Sequence, residues 1–239
     1  MYPPQDRFIF MNLFTKKKGG AVQRSVNKLV GSTMQTLDGK MGKVKALFFD
    51  DEAWTIRYLV LETEDWLQGR KVLISPEALI KNRWRPGAFV VDLTSEQIRD
   101  SPHVDTSQPV SRRQERELYE YYSWPAYWAT GVSAGGMWGT GVPAEDKDIQ
   151  GGDELHLQSS HRMADYDIHA SDGEIGQITD FILDDHTWQL QYLVVRTHTG
   201  FGGKCILLKI HHIKEVKWNN FEVVMDIASD TIKASPAFG

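Results

Sequence analysis

The chain has a single cysteine, Cys205, in 239 residues, which excludes an intramolecular disulfide framework and any multi-cysteine metal site. One cysteine fits a reducing compartment, and the expectation is a cytoplasmic protein. Surplus positive charge is also missing. The formal net charge is −5, which argues against a bulk grip on nucleic acid, because neutralising phosphates needs a basic face. Long apolar runs are scarce too. The one uncharged stretch of spanning length, residues 121–144, has no Leu, Ile or Phe and is diluted by Gly131, Gly135, Gly136, Gly139, Gly141, Pro125 and Pro143. A spanning helix must satisfy its own backbone, so no transmembrane helix is expected there. At the N-terminus, Asp6 and Arg7 precede the apolar Phe8 to Phe14, and Lys16, Lys17 and Lys18 follow. That order is the reverse of an export signal. Residues 1–23 are expected to be a flexible tail, with Met1 and Met11 both open as the start.

What is present is an ordinary globular composition, 41% hydrophobic and 25% charged, and an internal duplication. Asp38-Gly39-Lys40-Met41-Gly42 returns as Asp172-Gly173-Glu174-Ile175-Gly176. The stretch from Asp50 to Val60, with Asp51, Trp54 and Tyr58, returns from Asp184 to Val194, with Asp185, Trp188 and Tyr192. The offset is 134 throughout, and 10 of the 26 positions from Asp38 to Thr63 are identical. Trp84 and Trp218, Asp92 and Asp226, and Ile98 and Ile232 keep the same offset. A long period occurring twice implies duplicated domains, each expected to close its own core.

Within each repeat the punctuation reads as antiparallel β-structure. Asp38-Gly39 and Asp172-Gly173 are hairpin turns, and Gly42 and Gly176 mark a bulge or a close backbone approach. Strands are expected over 44–49 and 178–183, ending at the turn-favouring pairs Asp50-Asp51 and Asp184-Asp185. Return strands follow over 55–63 and 189–197, then shorter strands over 71–75 and 89–93, mirrored by 204–208 and 221–227. Trp54 and Tyr58, like Trp188 and Tyr192, are evenly spaced and so are expected to share one face and one core cluster. Thr94 to Gln97 is a capping box for a short helix.

The pattern D-G-x-x-G, then D-D-x-x-W-x-x-x-Y-L-V, then K-V-L-I or K-x-L-L, resembles the PRC-barrel family, in tandem. That family includes the cytoplasmic domain of the photosynthetic reaction-centre H subunit and the C-terminal domain of a ribosome maturation factor. The resemblance implies a mainly β chain of two small antiparallel β-barrels with short helices, acting as docking modules without catalytic residues. The expected division is a tail over 1–23, repeat 1 over 24–102, a linker over 103–157 and repeat 2 over 158–239. The H subunit's membrane anchor and the ribosome factor's preceding domain have no counterpart in the pattern.

The linker combines a second capping box, Ser111 to Gln114, with a helix through Tyr122, an aromatic block and a glycine-rich stretch. Tyr121, Tyr122, Trp124, Tyr127 and Trp128 pack on a barrel as extra core, form a recognition patch, or sit at a membrane interface. They are the candidate partner-binding residues.

Catalytic and cofactor signals are weak. His211-His212 are adjacent, and His156, His161 and His169 fit no familiar ligand spacing, so no metal or other cofactor is expected. Asp50-Asp51 and Asp184-Asp185 occupy turns rather than converging on a substrate, and the glycines around Phe201 precede no helix. Cys205 falls in an apolar strand, where burial quiets a thiol. The resulting expectation is a non-enzymatic cytoplasmic adaptor that binds another protein. Two alternatives stand beside it: a peripheral part of a membrane-bound photosynthetic or electron-transfer complex, and a carrier with a ligand pocket between the barrels. Peripheral membrane contact and a homo-oligomer remain open.

Overall fold

A computed structural model describes residues 22–39, 41–63, 70–80, 83, 85, 87–104, 110–127, 155–198, 203–233 and 237–238. Repeat 1 supplies β1 (Gln23–Ser25), α1 (Val26–Leu29), β2 (Thr33–Gln35), β3 (Met41–Asp50), β4 (Thr55–Thr63), β5 (Lys71–Ile74), β6 (Ala88–Val90) and α2 (Ser95–Arg99). Next come β7 (Val110–Ser111) and α3 (Arg112–Tyr122). The last residues of the expected linker run into repeat 2 as β8 (Leu155–Ser159), and repeat 2 continues with α4 (Ser160–Met163), β9 (Asp167–Ala170), β10 (Gly173–Asp184), β11 (Leu190–Thr197), β12 (Cys205–Lys209), β13 (Ile213–Lys217), β14 (Glu222–Met225) and α5 (Ser229–Lys233).

These strands form two seven-stranded sheets, and each sheet contains a strand from the other repeat. In the first sheet, β1 pairs antiparallel with β10, setting Ser25 opposite Ile182. In the second, β8 pairs antiparallel with β3, setting Ser159 opposite Phe48. Ser25 and Ser159, like Phe48 and Ile182, are equivalent positions of the duplication. The repeats therefore exchange their first strands reciprocally. The tail expected through residue 23 is tied down at its end by this pairing. The Val22 amide donates to Asp185 Oδ1 at 2.8 Å, and Arg24 Nε donates to Asp185 Oδ2 at 2.7 Å.

The shared D-D-x-x-W motif makes the joint between the repeats. Asp50 Oδ1 accepts the Glu52 and Ala53 amides at 3.0 Å, and Asp184 Oδ1 accepts the His186 and Thr187 amides at 2.9 Å. Each turn leaves its tryptophan left-handed, with φ 51° at Trp54 and 60° at Trp188. That conformation costs an ordinary residue on the order of 1–2 kcal/mol. Here it turns each carbonyl toward the opposite repeat. The Trp188 carbonyl accepts the Ile56 amide at 2.8 Å, and the Trp54 carbonyl accepts the Leu190 amide at 2.7 Å.

Three expectations need correction. The sheets are mixed rather than purely antiparallel, because β6 lies parallel to β2 and β14 parallel to β9, and no pairing among the described residues closes either sheet into a barrel. The long β10 serves β9 along its first half and β1 along its second, so one strand position belongs to the other repeat. Nor does each repeat close a core of its own. One buried hydrophobic cluster runs through both, including Leu47, Phe49 and Leu59 with Phe181, Leu183 and Leu193. The Phe49 and Phe181 rings lie 6.1 Å apart across the joint.

The tryptophan and tyrosine of each motif also separate. Trp54 packs against the shared core and Trp188 lies within it, whereas Tyr58 and Tyr192 lie in two smaller clusters on the opposite faces of the strands. The even-spacing argument fails because Trp54 and Trp188 are turn residues with positive φ, outside the pleat that alternation requires. The glycine reading holds. A Cβ at Gly176 would sit 2.0 Å from the Arg196 carbonyl oxygen, and one at Gly42 would sit 2.7 Å from that of Glu62. Among the described residues no helix is long and apolar enough to cross a membrane.

The first motif aspartate fastens each C-terminal helix. Asp38 accepts the Ser95 amide at 3.0 Å and the Ser95 hydroxyl, and Asp172 accepts the equivalent pair from Ser229, both at 2.8 Å. The Ser95 and Thr36 hydroxyls hold the Asp38 carboxyl down at about 2, from an ordinary value of 3.8. Because the folded value is the lower one, the stability from this anchor is present above the ordinary value and is lost as pH falls through the folded one. An NMR titration should place the Asp38 carboxyl near the bottom of the carboxylate range, and Asp38→Asn should remove this share of the acid dependence of unfolding. A normal Asp38 titration would contradict the anchor.

Candidate functional site

The linker helix docks on repeat 1. Ser111 and Gln114 form both bonds of the expected capping box, and the helix ends at Ser123, which is left-handed with φ 54°. Glu115, Leu118, Tyr119 and Tyr122 recur at the spacing of one helical face. That face covers the cluster containing Phe48, Tyr58, Val60 and Leu73.

Glu115 is the charged member of this face and is fully buried. Its Oε1 accepts the Tyr58 hydroxyl at 3.1 Å and the Tyr127 hydroxyl at 2.8 Å, and its Oε2 accepts Arg112 Nη1 at 3.0 Å. Arg57 lies under the Tyr127 ring, 3.6 Å from its centroid, and pairs with Asp50 at 3.2 Å. A continuous polar chain thus runs Asp50, Arg57, Tyr127, Glu115, Tyr58 and joins the D-D-x-x-W turn to the linker. Burial, followed by the Glu115 charge, pushes the Tyr58 and Tyr127 hydroxyls well above the ordinary tyrosine value. Burial and the charges of Glu77 and Glu115 do the same to Tyr119. The Tyr58 and Tyr127 phenols are donors held neutral. The Asp50 carboxyl lies below its usual range: burial raises it, but the Ala53 amide and the Arg57 charge outweigh that.

The candidate aromatics divide by environment. Tyr122 and Trp124 are half-buried and stacked, 4.3 Å between centroids, and both pack on the hydrophobic clusters with Tyr127. Tyr121 is 39% exposed, and its hydroxyl donates to the Gln97 carbonyl at 2.8 Å. Trp128 lies outside the described residues, as do the glycine-rich stretch and Trp84. Cys205 is half-buried at the head of β12. Among the described residues no three His, Cys, Asp or Glu side chains group to hold a metal.

Beside this cluster lies a cleft of about 210 Å³ where the turn of repeat 2 meets β4 of repeat 1, with Arg57, Glu77, Tyr119, His186 and Trp188 among its walls. Sequence reasoning missed Glu115, Arg112, Arg57 and Glu77. Glu115 did leave a signal, a carboxylate at an apolar-face position of an amphipathic helix. Compared with protein-family models the chain matches none, and curated proteins offer no significant match either.

Removing Glu115 takes the carboxylate acceptor from the buried Tyr58 hydroxyl, from the half-buried Tyr127 hydroxyl and from Arg112, whose Nη1 also donates to the Tyr127 hydroxyl at 3.0 Å. Glu115→Ala should therefore cost roughly 3–5 kcal/mol in urea unfolding, the range for breaking a buried pair from one side. Tyr58→Phe, which removes one donor and leaves Tyr127 and Arg112 on the carboxylate, should cost less, about 1.5–3 kcal/mol. Equal small losses from both variants would show that the carboxylate does not organise the linker.

Proposed function

We propose that the chain is a non-catalytic adaptor of the tandem PRC-barrel kind, acting in the cytoplasm and binding a protein partner through the surface that α3 and the joint form together. One observation supports this reading above the rest: the aromatic linker is fastened to repeat 1 by the Glu115 network, with Tyr121 left exposed at its rim. A preformed aromatic surface binds with less ordering cost than a loose one, and tyrosine is frequent among binding hot spots. The strand exchange adds rigidity, because the two repeats share a core and cannot reorient independently without breaking it.

A second reading, a carrier with a pocket between the repeats, is favoured by the position of the cleft. Its volume falls below the roughly 300–1,000 Å³ typical of small-molecule sites, which ranks it behind the adaptor.

Replacing Tyr121 by a photoreactive phenylalanine and irradiating whole cells should give a discrete protein adduct. The same substitution at Leu37, also exposed and lying in the turn between β2 and β3, should give none. Adducts of the same mass from both positions, or none from position 121, would overturn the proposed surface.

A further inference from the structure

The joint makes each of its contacts twice, with the repeats interchanged. Ile56 donates to the Trp188 carbonyl and Leu190 to the Trp54 carbonyl, and the offset of 134 carries one bond onto the other. Two copies of a single repeat would meet about a twofold axis in this same way. The backbone alone therefore leaves the pairing undecided, since repeat 1 offers the same carbonyls and amides to another repeat 1. The side chains of the exchanged strands decide it.

The strand from repeat 1 is matched to repeat 2. Asp180 Oδ2 accepts the Ser25 hydroxyl at 2.5 Å, and its Oδ1 accepts the Asn27 amide at 2.9 Å. Ala46 holds the equivalent place in repeat 1, and its side chain offers neither bond. Ser25 is buried, so on another repeat 1 its hydroxyl would lose this acceptor, and a buried donor without a partner is costly. The strand from repeat 2 is matched to repeat 1 by burial. Leu157 of β8 is fully buried in the cluster that α3 covers, with Tyr58 and Leu118. Its counterpart in β1 is Gln23, whose amide would enter that apolar cluster if repeat 1 met its own kind. Repeat 2 is mismatched to itself as well. Arg24 pairs with the largely buried Asp185 at 2.7 Å, and the counterpart of Arg24 in β8 is Gln158, which carries no charge.

We propose that the joint is a recognition surface on which each repeat accepts the other repeat and excludes its own kind, so that a second copy of this chain joins only crosswise, repeat 1 on repeat 2. Asp180 and Leu157 are its chief specificity residues. Discrimination between related surfaces rests on such mismatches in the wrong pairing. The proposal goes beyond the adaptor reading and does not depend on it.

A protease site inserted between Gly135 and Gly136, in the linker, allows the folded full chain to be cut once. The cut protein is unfolded in urea, refolded by dilution and weighed by native mass spectrometry. The heterodimer of the two halves should exceed either homodimer at least about tenfold, where random pairing would give only about twofold. Gln23→Leu combined with Ala46→Asp supplies repeat 1 with the apolar residue and the carboxylate it lacks for its own kind. Refolding of that cut variant should raise the homodimer of the repeat 1 half at least about tenfold over the unsubstituted protein. A random mixture, halves that refold without pairing, or a double variant with no added homodimer would each overturn the proposal. If the double variant does not refold, Asp180→Ala decides. It weakens only pairings made on repeat 2, so the ratio of repeat 1 homodimer to heterodimer should rise at least about threefold, and an unchanged ratio would overturn the proposal.

Discussion

Ile56 and Leu190 each donate an amide hydrogen to a tryptophan carbonyl in the other repeat, and those two bonds, together with the exchanged strands β1 and β8, make the molecule one body. A repeat lacking its borrowed strand would leave the backbone of β3 or β10 unpaired beside an apolar core, which is costly because buried backbone groups need partners. The left-handed tryptophans follow from this demand. Their strain is tolerated because the turn aspartates hold the preceding amides and the carbonyls find acceptable donors across the joint. The single hydrophobic cluster then follows as well, since exchanged strands carry their neighbours' apolar faces into a common interior.

On that symmetric frame the linker imposes an asymmetry. Repeat 1 receives α3 and its carboxylate on the cluster around Tyr58. The corresponding cluster of repeat 2, with Ile182, Tyr192, Val194 and Leu207, packs instead against Cys205 and Phe238 near the chain end. The same motif tyrosine is therefore a hydrogen-bond donor to a buried acid in one half and part of a small apolar patch in the other. Function is more readily sought where the copies differ, because shared residues are accounted for by the joint they build.

Much of this frame was legible in the sequence. Alternation and turn residues gave β4 its bounds at Thr55 and Thr63, and the capping boxes at Thr94 and Ser111 placed α2 and α3. The first strands were not legible. Gln23-Arg24-Ser25 is too short and too polar to show a period, and its partner lies more than 150 residues away. The expectation of separate closed barrels failed for the same reason, since local pattern cannot say which copy supplies a strand. At the site, the helical face of Glu115 could be read from its spacing with Leu118, Tyr119 and Tyr122. Its acceptor role could not, because Tyr58 is 57 residues distant and the contact exists only once α3 has docked. Arg57 was masked similarly, as one polar position of a strand pattern.

The exchange itself is the claim on which the shared core, the cleft and the fixed linker depend. Cross-strand nuclear Overhauser contacts in the dilute monomer test it directly. The account predicts backbone contacts from Ser25 to Ile182 and from Ser159 to Phe48. Contacts from Ser25 to Phe48 and from Ser159 to Ile182 would mean that each repeat keeps its own first strand, and would contradict it.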